Sequence, residues 1–442
     1  RHVGTTDATI WVETDGPCVV DVLGHRSPTF HVRGHHYGLV AVRGLSPGAV
    51  HPYGVALDAD TVWPEHTSVF PASVIRTIHP SAPLRIAFGS CRVTAPHEPP
   101  ASVSYSRTYG PDALRALAAG MGDRPAETWP NALLLLGDQV YADDPSPQTR
   151  AFMRARRNTS GPHGEEVTNF DEYARLYQEA WQEPSVRWLF SVVGTTMLWD
   201  DHDVHDDWNI SDAWVQGIRS QSWWPERLIG AIIAYWIYQH LGNLSPDALD
   251  RDDLLAQVRA APDGELPLRA FARRAVECPA GPRWSVCRDF GTTRLLALDC
   301  RSRRVLTPGA RSMLFEDEWG WMEKQTQGDF DHLLVAVADP YLLTPAIHHL
   351  EAWSEAICDG AWGNAFAGLG ERLRQALDLD HWAAFAISFE RLTELFRKVG
   401  AGHYGQPPAT IVTLTGDVHH CELFRAIFAP SAGVISGVYE AV

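Results

Sequence analysis

The stretch Ala132-Leu133-Leu134-Leu135-Leu136-Gly137-Asp138-Gln139-Val140-Tyr141 decides how the rest of the chain is read. The apolar run is the length of one strand, and its uniform apolarity suits a strand covered on both faces. It stops abruptly at Gly-Asp. That pair is often only a turn, but it also places a carboxylate beyond the carboxyl end of a buried strand, where open α/β folds bind ligands.

Working outward, the same punctuation recurs. Ile86-Ala87-Phe88 runs into Gly89-Ser90-Cys91-Arg92, and Met197-Leu198-Trp199 runs into Asp200-Asp201-His202-Asp203-Val204-His205-Asp206-Asp207. Ile411-Val412-Thr413-Leu414 runs into Gly416-Asp417-Val418-His419-His420 after Thr415. Further strand-like runs lie at Leu295–Leu298 and Leu333–Ala338. Helical stretches are expected at Pro111–Ala119, Phe170–Glu179, Glu226–Leu241, Asp317–Gln325 and Trp382–Val399. In the last, Trp382, Phe385, Phe389, Leu392 and Phe396 recur at helical spacing and read as core. The pattern is α/β, with one doubly wound sheet and two packed sheets both open. Segment 142–169, rich in Pro and Arg, reads as a substrate-facing loop.

Residues 1–78 have a different texture: Thr9–Glu13, Val19–Leu23, Tyr37–Val42, Tyr53–Leu57 and Val74–Ile78 are short strands between Gly/Pro turns. They predict a small all-β sandwich, joined by the linker His79-Pro80-Ser81-Ala82-Pro83 to a catalytic domain over 79–442. Seventeen tryptophans and 45% hydrophobic residues in 442 fit a folded chain of that size. Seven scattered cysteines give no disulfide framework and lean towards a reducing, cytoplasmic compartment, although Cys278 and Cys287 are close enough in sequence to pair. The chain starts at Arg1 without an initiator Met, so a removed leader and a secreted or periplasmic place stay open. No apolar run is long enough to span a membrane; Leu228–Leu241 reads as a buried helix.

A net charge of −17 does not attract nucleic acid or anionic membrane. Arg154, Arg156 and Arg157 form the one basic patch that would hold a nucleic-acid backbone. The charge would also repel phosphorylated substrates unless cations offset the acids. Five Asp and two His between Asp200 and Asp207 repel one another without such partners. His419 taken alone fits a core histidine, an N-cap partner or a ligand equally well. Together the four strand ends supply carboxylate, imidazole, thiolate and phenolate, a donor set for two hard or borderline metal ions. Phosphate ester hydrolysis needs such a set. Two cations about 3.5–4 Å apart neutralise the phosphoryl oxygens and ionise a bridging water, and a histidine meets the leaving oxygen.

The four segments resemble the PhoD-like alkaline phosphatase family of the metallophosphoesterase superfamily. Its Ser-Cys, Gly-Asp-x-x-Tyr, Trp-Asp-Asp-His-Asp/Glu and Gly-Asp-Val-His segments correspond to Ser90-Cys91, Gly137–Tyr141, Trp199–Asp203 and Gly416–His419. The Gly44-Leu45-Ser46-Pro47-Gly48 turn fits the β domain that precedes the catalytic domain in such proteins. The resemblance implies a layered α/β/β/α core behind a fibronectin III-like sandwich. It implies a phosphoric ester hydrolase acting on small-molecule phosphate esters through a metal-bridging hydroxide. Cys91, Asp138, Tyr141 and Asp417 would hold ferric iron, and Asp138, Asp201 and His419 a second ion, calcium in the family, with other divalent ions possible there. His202 would be the general acid or orient the phosphate, Asp203 would hold its ring, and Arg92 would clamp the phosphate.

The chain departs from the family where Asp206-Asp207 replace a usual Asn-Asn, with Asn209 two residues away as a compensating candidate. A diesterase acting on phospholipid or nucleic acid is the runner-up, since Trp208, Trp214, Trp223, Trp224, Trp319 and Trp321 either line an apolar cleft or fill the core. The reading from a different class is a binding or structural protein with a decayed site.

Overall fold

A computed structural model describes residues 1–94, 103, 107–278 and 281–442. Two β-sheets lie face to face at its centre. The first has three parallel strands, Ile86–Gly89, Ala132–Leu136 and Gly194–Leu198, in that order. The second has six strands. Thr293–Ala297, His332–Ala336, Thr410–Leu414 and Gly437–Ala441 run parallel in its middle, and Val286–Phe290 and Leu423–Ala426 add antiparallel edges.

The period-2 alternation of side chains explains why there are two sheets rather than one. Ala132, Leu134 and Leu136 face Leu295, Ala297, Ala336 and Leu414 across the gap between the sheets. Leu133 and Leu135 point the other way, onto Met121, Trp129, Trp188 and Leu189 of the helical layer. On the far side Leu296, Leu333 and Val335 pack on Trp319, Trp382, Phe385, Leu392 and Phe396. The result is the α/β/β/α sandwich, with every expected catalytic strand present. Three strands lie outside the sequence reading: the edges Val286–Phe290 and Leu423–Ala426, which are short and partly polar, and Gly437–Ala441 between Thr410–Leu414 and the second edge.

The aromatic stripe at Trp382–Phe396 is core, in a short 3-10 turn followed by the helix Ala386–Gly400. The segment expected as a loop, 142–169, contains a helix instead: Ser146 caps it and Pro147 occupies its first turn, so Pro147–Arg154 is helical. The basic patch there is neutralised. Arg154 pairs with Glu165, Arg157 with Glu172 at 2.7 Å, and Arg156 lies over the Phe152 ring. Among the tryptophans weighed as cleft residues, Trp208, Trp224 and Trp319 are at most 4% exposed and belong to the core.

The first 78 residues form a three-stranded sheet (Asp7–Thr14, His35–Arg43, Phe30–Val32), a four-stranded sheet and a two-stranded ladder. Val40 and Val42 pack inside these sheets. Tyr37 and Leu39 on the same strand instead share a core with the helices Phe170–Trp181 and Trp224–Ala234. The latter helix passes into a π-helical turn, Tyr235–His240. All seven cysteines are free, so Cys278 and Cys287 do not pair. No helix among the described residues is long and apolar enough to cross a membrane.

Candidate metal centre

Four strands end at one place. The chain turns sharply there: Cys91, Asp138, Asp417 and His419 all have positive φ (57°, 52°, 67° and 56°), as do Asp207 and Asn209. Non-glycine residues rarely adopt this conformation, so six of the eleven such residues described cluster at one site, where backbone strain often marks function. Gly137 has φ +117°, and a Cβ there would sit 2.5 Å from the Asp200 Cβ; only glycine lets these two loops touch.

The donors gather in overlapping groups. Asp138, Asp201 and His202 offer ligand atoms within 4.8 Å of one another, and so do Asp200, Asp201 and Asp417. Cys91 has Asp138 and Asp417 as charged neighbours, and Tyr141 has Asp138 and Cys91. The Tyr141 ring also lies 4.5 Å from the His202 ring. Two carboxylate oxygens, Asp138 Oδ1 and Asp200 Oδ2, are buried without any hydrogen-bond partner. A buried carboxylate is costly unless a cation or donor meets it. With thiol, phenol and several carboxylates around them, these orphaned oxygens fit two metal ions.

The electrostatics agree. Burial, reinforced by Asp201, holds the Asp138 carboxyl well above the usual range. Burial likewise lifts Asp201 to about 6, Asp203 to about 7 and Asp207 to about 8. Burial and the neighbouring Asp138 push the Cys91 thiol and the Tyr141 phenol up as well. Without cations the nest holds protons. In the folded state these acids bind more protons than in the unfolded chain, where they titrate near 3.9. Stability of metal-stripped protein is therefore expected to fall as pH rises through 6.5–8. His202, whose pKa is raised, contributes with the same sign in that window. Differential scanning calorimetry of stripped protein at pH 6.5 and 8 checks this: a Tm that rises with pH would contradict it, and added metal should flatten the trend.

His202 is held by Asp143, not by the neighbour expected from the sequence. Its Nδ1 lies 2.8 Å from Asp143 Oδ2. Burial opposes a charged ring, yet the Asp143 hydrogen bond and the Asp201 and Asp138 charges outweigh it and lift the pKa to about 11. Asp203 faces backward. Its Oδ1 accepts from the Gln139 and Val140 amides at 3.1 and 3.3 Å, and its Oδ2 from the Asp200 amide at 3.0 Å. Gln239, in the π-helical turn, adds a fourth bond at 3.2 Å. Asp203 thus staples two ligand loops together.

Arg92 is not placed as a clamp: its Nε and Nη2 reach Asp112 Oδ2 at 3.1 and 2.8 Å, and Nη1 donates to the Ala180 carbonyl at 2.6 Å. Asn209 Nδ2 donates to the Arg301 carbonyl at 3.1 Å. His419 is exposed and lies outside the close-packed groups.

Residues missed in the sequence complete the site. His381 joins Asp417 Oδ2 at 2.8 Å to Glu351 at 2.5 Å. It follows an acid-rich stretch, Asp378-Leu379-Asp380, but no apolar strand leads into it. Asp143 stands just after Gly137–Tyr141, and Asp200 inside the acidic cluster; both were visible without an assigned role. A cavity of about 860 Å³ lies elsewhere, among Trp11, Trp63, Tyr177 and Trp181, and none of these donors lines it.

Comparison with known proteins bears on this site. Residues 120–252, which carry the Gly137–Tyr141 and Trp199–Asp203 segments, match the family model described as PhoD-like phosphatase. Residues 1–75 match a domain of unknown function, DUF7800. No curated protein matches the sequence. A solved structure entitled "Structure of PhoD" aligns over 99% of this chain and 75% of its own, with TM-score 0.60 and 13% identity, and shares the fold. A purple acid phosphatase, PPD1, from yellow lupin (Lupinus luteus) seeds aligns over 99% of this chain and 62% of its own, with TM-score 0.46 and 10% identity.

Proposed function

We propose that this chain is a metal-dependent phosphoric ester hydrolase with a dinuclear metal site, and that it cleaves small-molecule phosphate esters at the ends of strands Ile86–Gly89, Ala132–Leu136, Gly194–Leu198 and Thr410–Leu414; the PhoD-like phosphatase match over residues 120–252 and the gathered donors support this. The observation that carries the reading is the pair of orphaned, buried carboxylate oxygens on Asp138 and Asp200, inside a cluster that also offers Cys91, Tyr141, Asp201 and Asp417.

Cys91, Tyr141, Asp138 and Asp417 would hold one ion. Thiolate and phenolate together suit a trivalent ion, ferric iron. Asp138 would be shared with the second ion, which Asp201 would join and which His419 would reach after turning inward; calcium suits the two carboxylates. When bound, the pair neutralises the phosphoryl oxygens and lowers the pKa of a water.

The chain's own residues do the rest. Asp143 fixes the His202 ring through Nδ1 and keeps it protonated. Nε2 is then free to donate a proton to the departing oxygen. Asp206 Oδ1, 3.7 Å from Nε2, helps to hold that proton before substrate arrives. Asp203 fixes the spacing between the loops that carry Asp138 and Asp201, the residues that would hold the ions. A reducing, cytoplasmic setting is part of this proposal, because the seven cysteines are free and Cys91 acts as a thiolate.

Elemental analysis and the visible spectrum of protein purified without added metal test it, together with turnover of p-nitrophenyl phosphate and bis(p-nitrophenyl) phosphate. Iron near one per chain is expected, with a phenolate-to-iron absorption that disappears in Tyr141→Phe. A chain that carries no metal, and takes up none when iron and calcium are added, would overturn the reading.

A further inference from the structure

Behind the nest lies a second, buried cluster of charges. Arg301 follows the strand Thr293–Ala297 by four residues and is 1% exposed. Its three guanidinium nitrogens meet three carboxylates. Nε bonds Asp200 Oδ1 at 2.6 Å, Nη1 bonds Asp380 Oδ2 at 2.5 Å, and Nη2 bonds Asp339 Oδ1 at 2.9 Å. Arg304 backs up two of the three, reaching Asp380 at 2.6 Å and Asp339 at 2.9 Å, but it does not touch Asp200. Two fixed positive charges thus face three buried acids.

Those acids come from different parts of the fold. Asp200 opens the loop that also carries Asp201 and His202, beyond the first sheet. Asp339 follows His332–Ala336 in the second sheet. Asp380 directly precedes His381, whose Nε2 holds Asp417 Oδ2 at 2.8 Å. One planar fork therefore fixes the acidic loop of the first sheet against the segment that grips Asp417 in the second. It takes one oxygen of Asp200 and leaves the other, Oδ2, unpartnered inside the group formed with Asp201 and Asp417.

Resting on the two-cation reading above, we infer that Arg301 is a positioning residue for the metal centre: it aims the free oxygen of Asp200 and sets the separation between the Asp201 and Asp417 loops. Charge alone is not enough for this task. A lysine ammonium in the same place keeps the positive charge but cannot bond three carboxylates in three fixed directions. Arg304, which lacks the bond to Asp200, serves the buried cluster without aiming any group at the ions. The two arginines are therefore separable by experiment.

The metal-stripped 442-residue chain is titrated with Mn²⁺ while the free ion is followed by electron paramagnetic resonance. Thermal unfolding of each variant gives the structural readout. Arg301→Lys is expected to fold and to weaken Mn²⁺ binding by about 10–100-fold, the loss usual when a group that orients metal ligands is removed. Arg304→Lys is expected to lose a comparable amount of thermal stability yet to keep Mn²⁺ affinity within about threefold. Unchanged affinity in Arg301→Lys would overturn the inference. Equal loss in both variants would overturn it too, since that reports a general loosening. If the parent chain itself binds no Mn²⁺, iron or calcium, the two-cation reading fails first, and the inference falls with it.

Discussion

Asp138→Asn is expected to abolish tight binding of both cations and to lower kcat/KM on a phosphate ester by at least ~10²–10³-fold, while the fold survives. The size follows from removing one group that stabilises developing charge in a water-poor site. The residue is 1% exposed, and one of its oxygens has no protein partner. Asn keeps the shape, so the loop around it should not shift. The structure adds a less obvious expectation. In the stripped protein burial, reinforced by Asp201, penalises the Asp138 carboxylate, so the neutral Asn should raise the Tm of the metal-free chain even as it removes the metal-dependent rise. Calorimetry with and without added iron and calcium, beside a p-nitrophenyl phosphate assay, reads both effects. Turnover and metal content equal to the parent's would remove Asp138 from the centre of the mechanism.

His202→Gln is expected to lower kcat by about 10²–10⁴-fold for esters with alkyl leaving groups, the range for a positioned proton donor. For p-nitrophenol, which departs readily as an anion, the loss should be much smaller. The contrast follows from the placement of the ring: Asp143 takes Nδ1, so the proton available to substrate is on Nε2. Asp143→Asn should reproduce part of the defect, because an amide no longer holds the ring in its charged form. A series of aryl and alkyl phosphates gives the dependence on leaving-group pKa. Equal losses across the series would mean that His202 holds the phosphate rather than donating a proton.

The strands and the ligand loops were legible because each apolar run ends abruptly in a Gly, Asp, Ser or Cys. That pattern is local. Whether the runs made one sheet or two was not, because a strand covered by a helix on one face and another sheet on the other is apolar throughout in either arrangement. Assigning roles by adjacency in sequence failed inside the turn at Asp200–Val204. Consecutive side chains point in different directions there, so Asp203 turns onto backbone amides while His202 meets Asp143, 59 residues away. His381 and Arg301 were unreadable for a related reason. Each acts on a partner far along the chain, Asp417 at 36 residues and Asp200 at 101, and only the packing of the two sheets brings them together. Arg92 misled by standing next to Cys91, whereas its partners are Asp112 and Ala180.

The π-helical turn at Tyr235–His240 sets the register of the residues that follow within it. Such a turn contains one residue more than an α-turn, and each residue advances the helix by about 100° around its axis. Without the extra residue Gln239 would swing away from Asp203 by that angle, and the Tyr177 hydroxyl that shares its amide at 2.8 Å would lose its partner. The register of one buried helix thus specifies, to within a single residue, how two loops at the heart of the molecule are spaced.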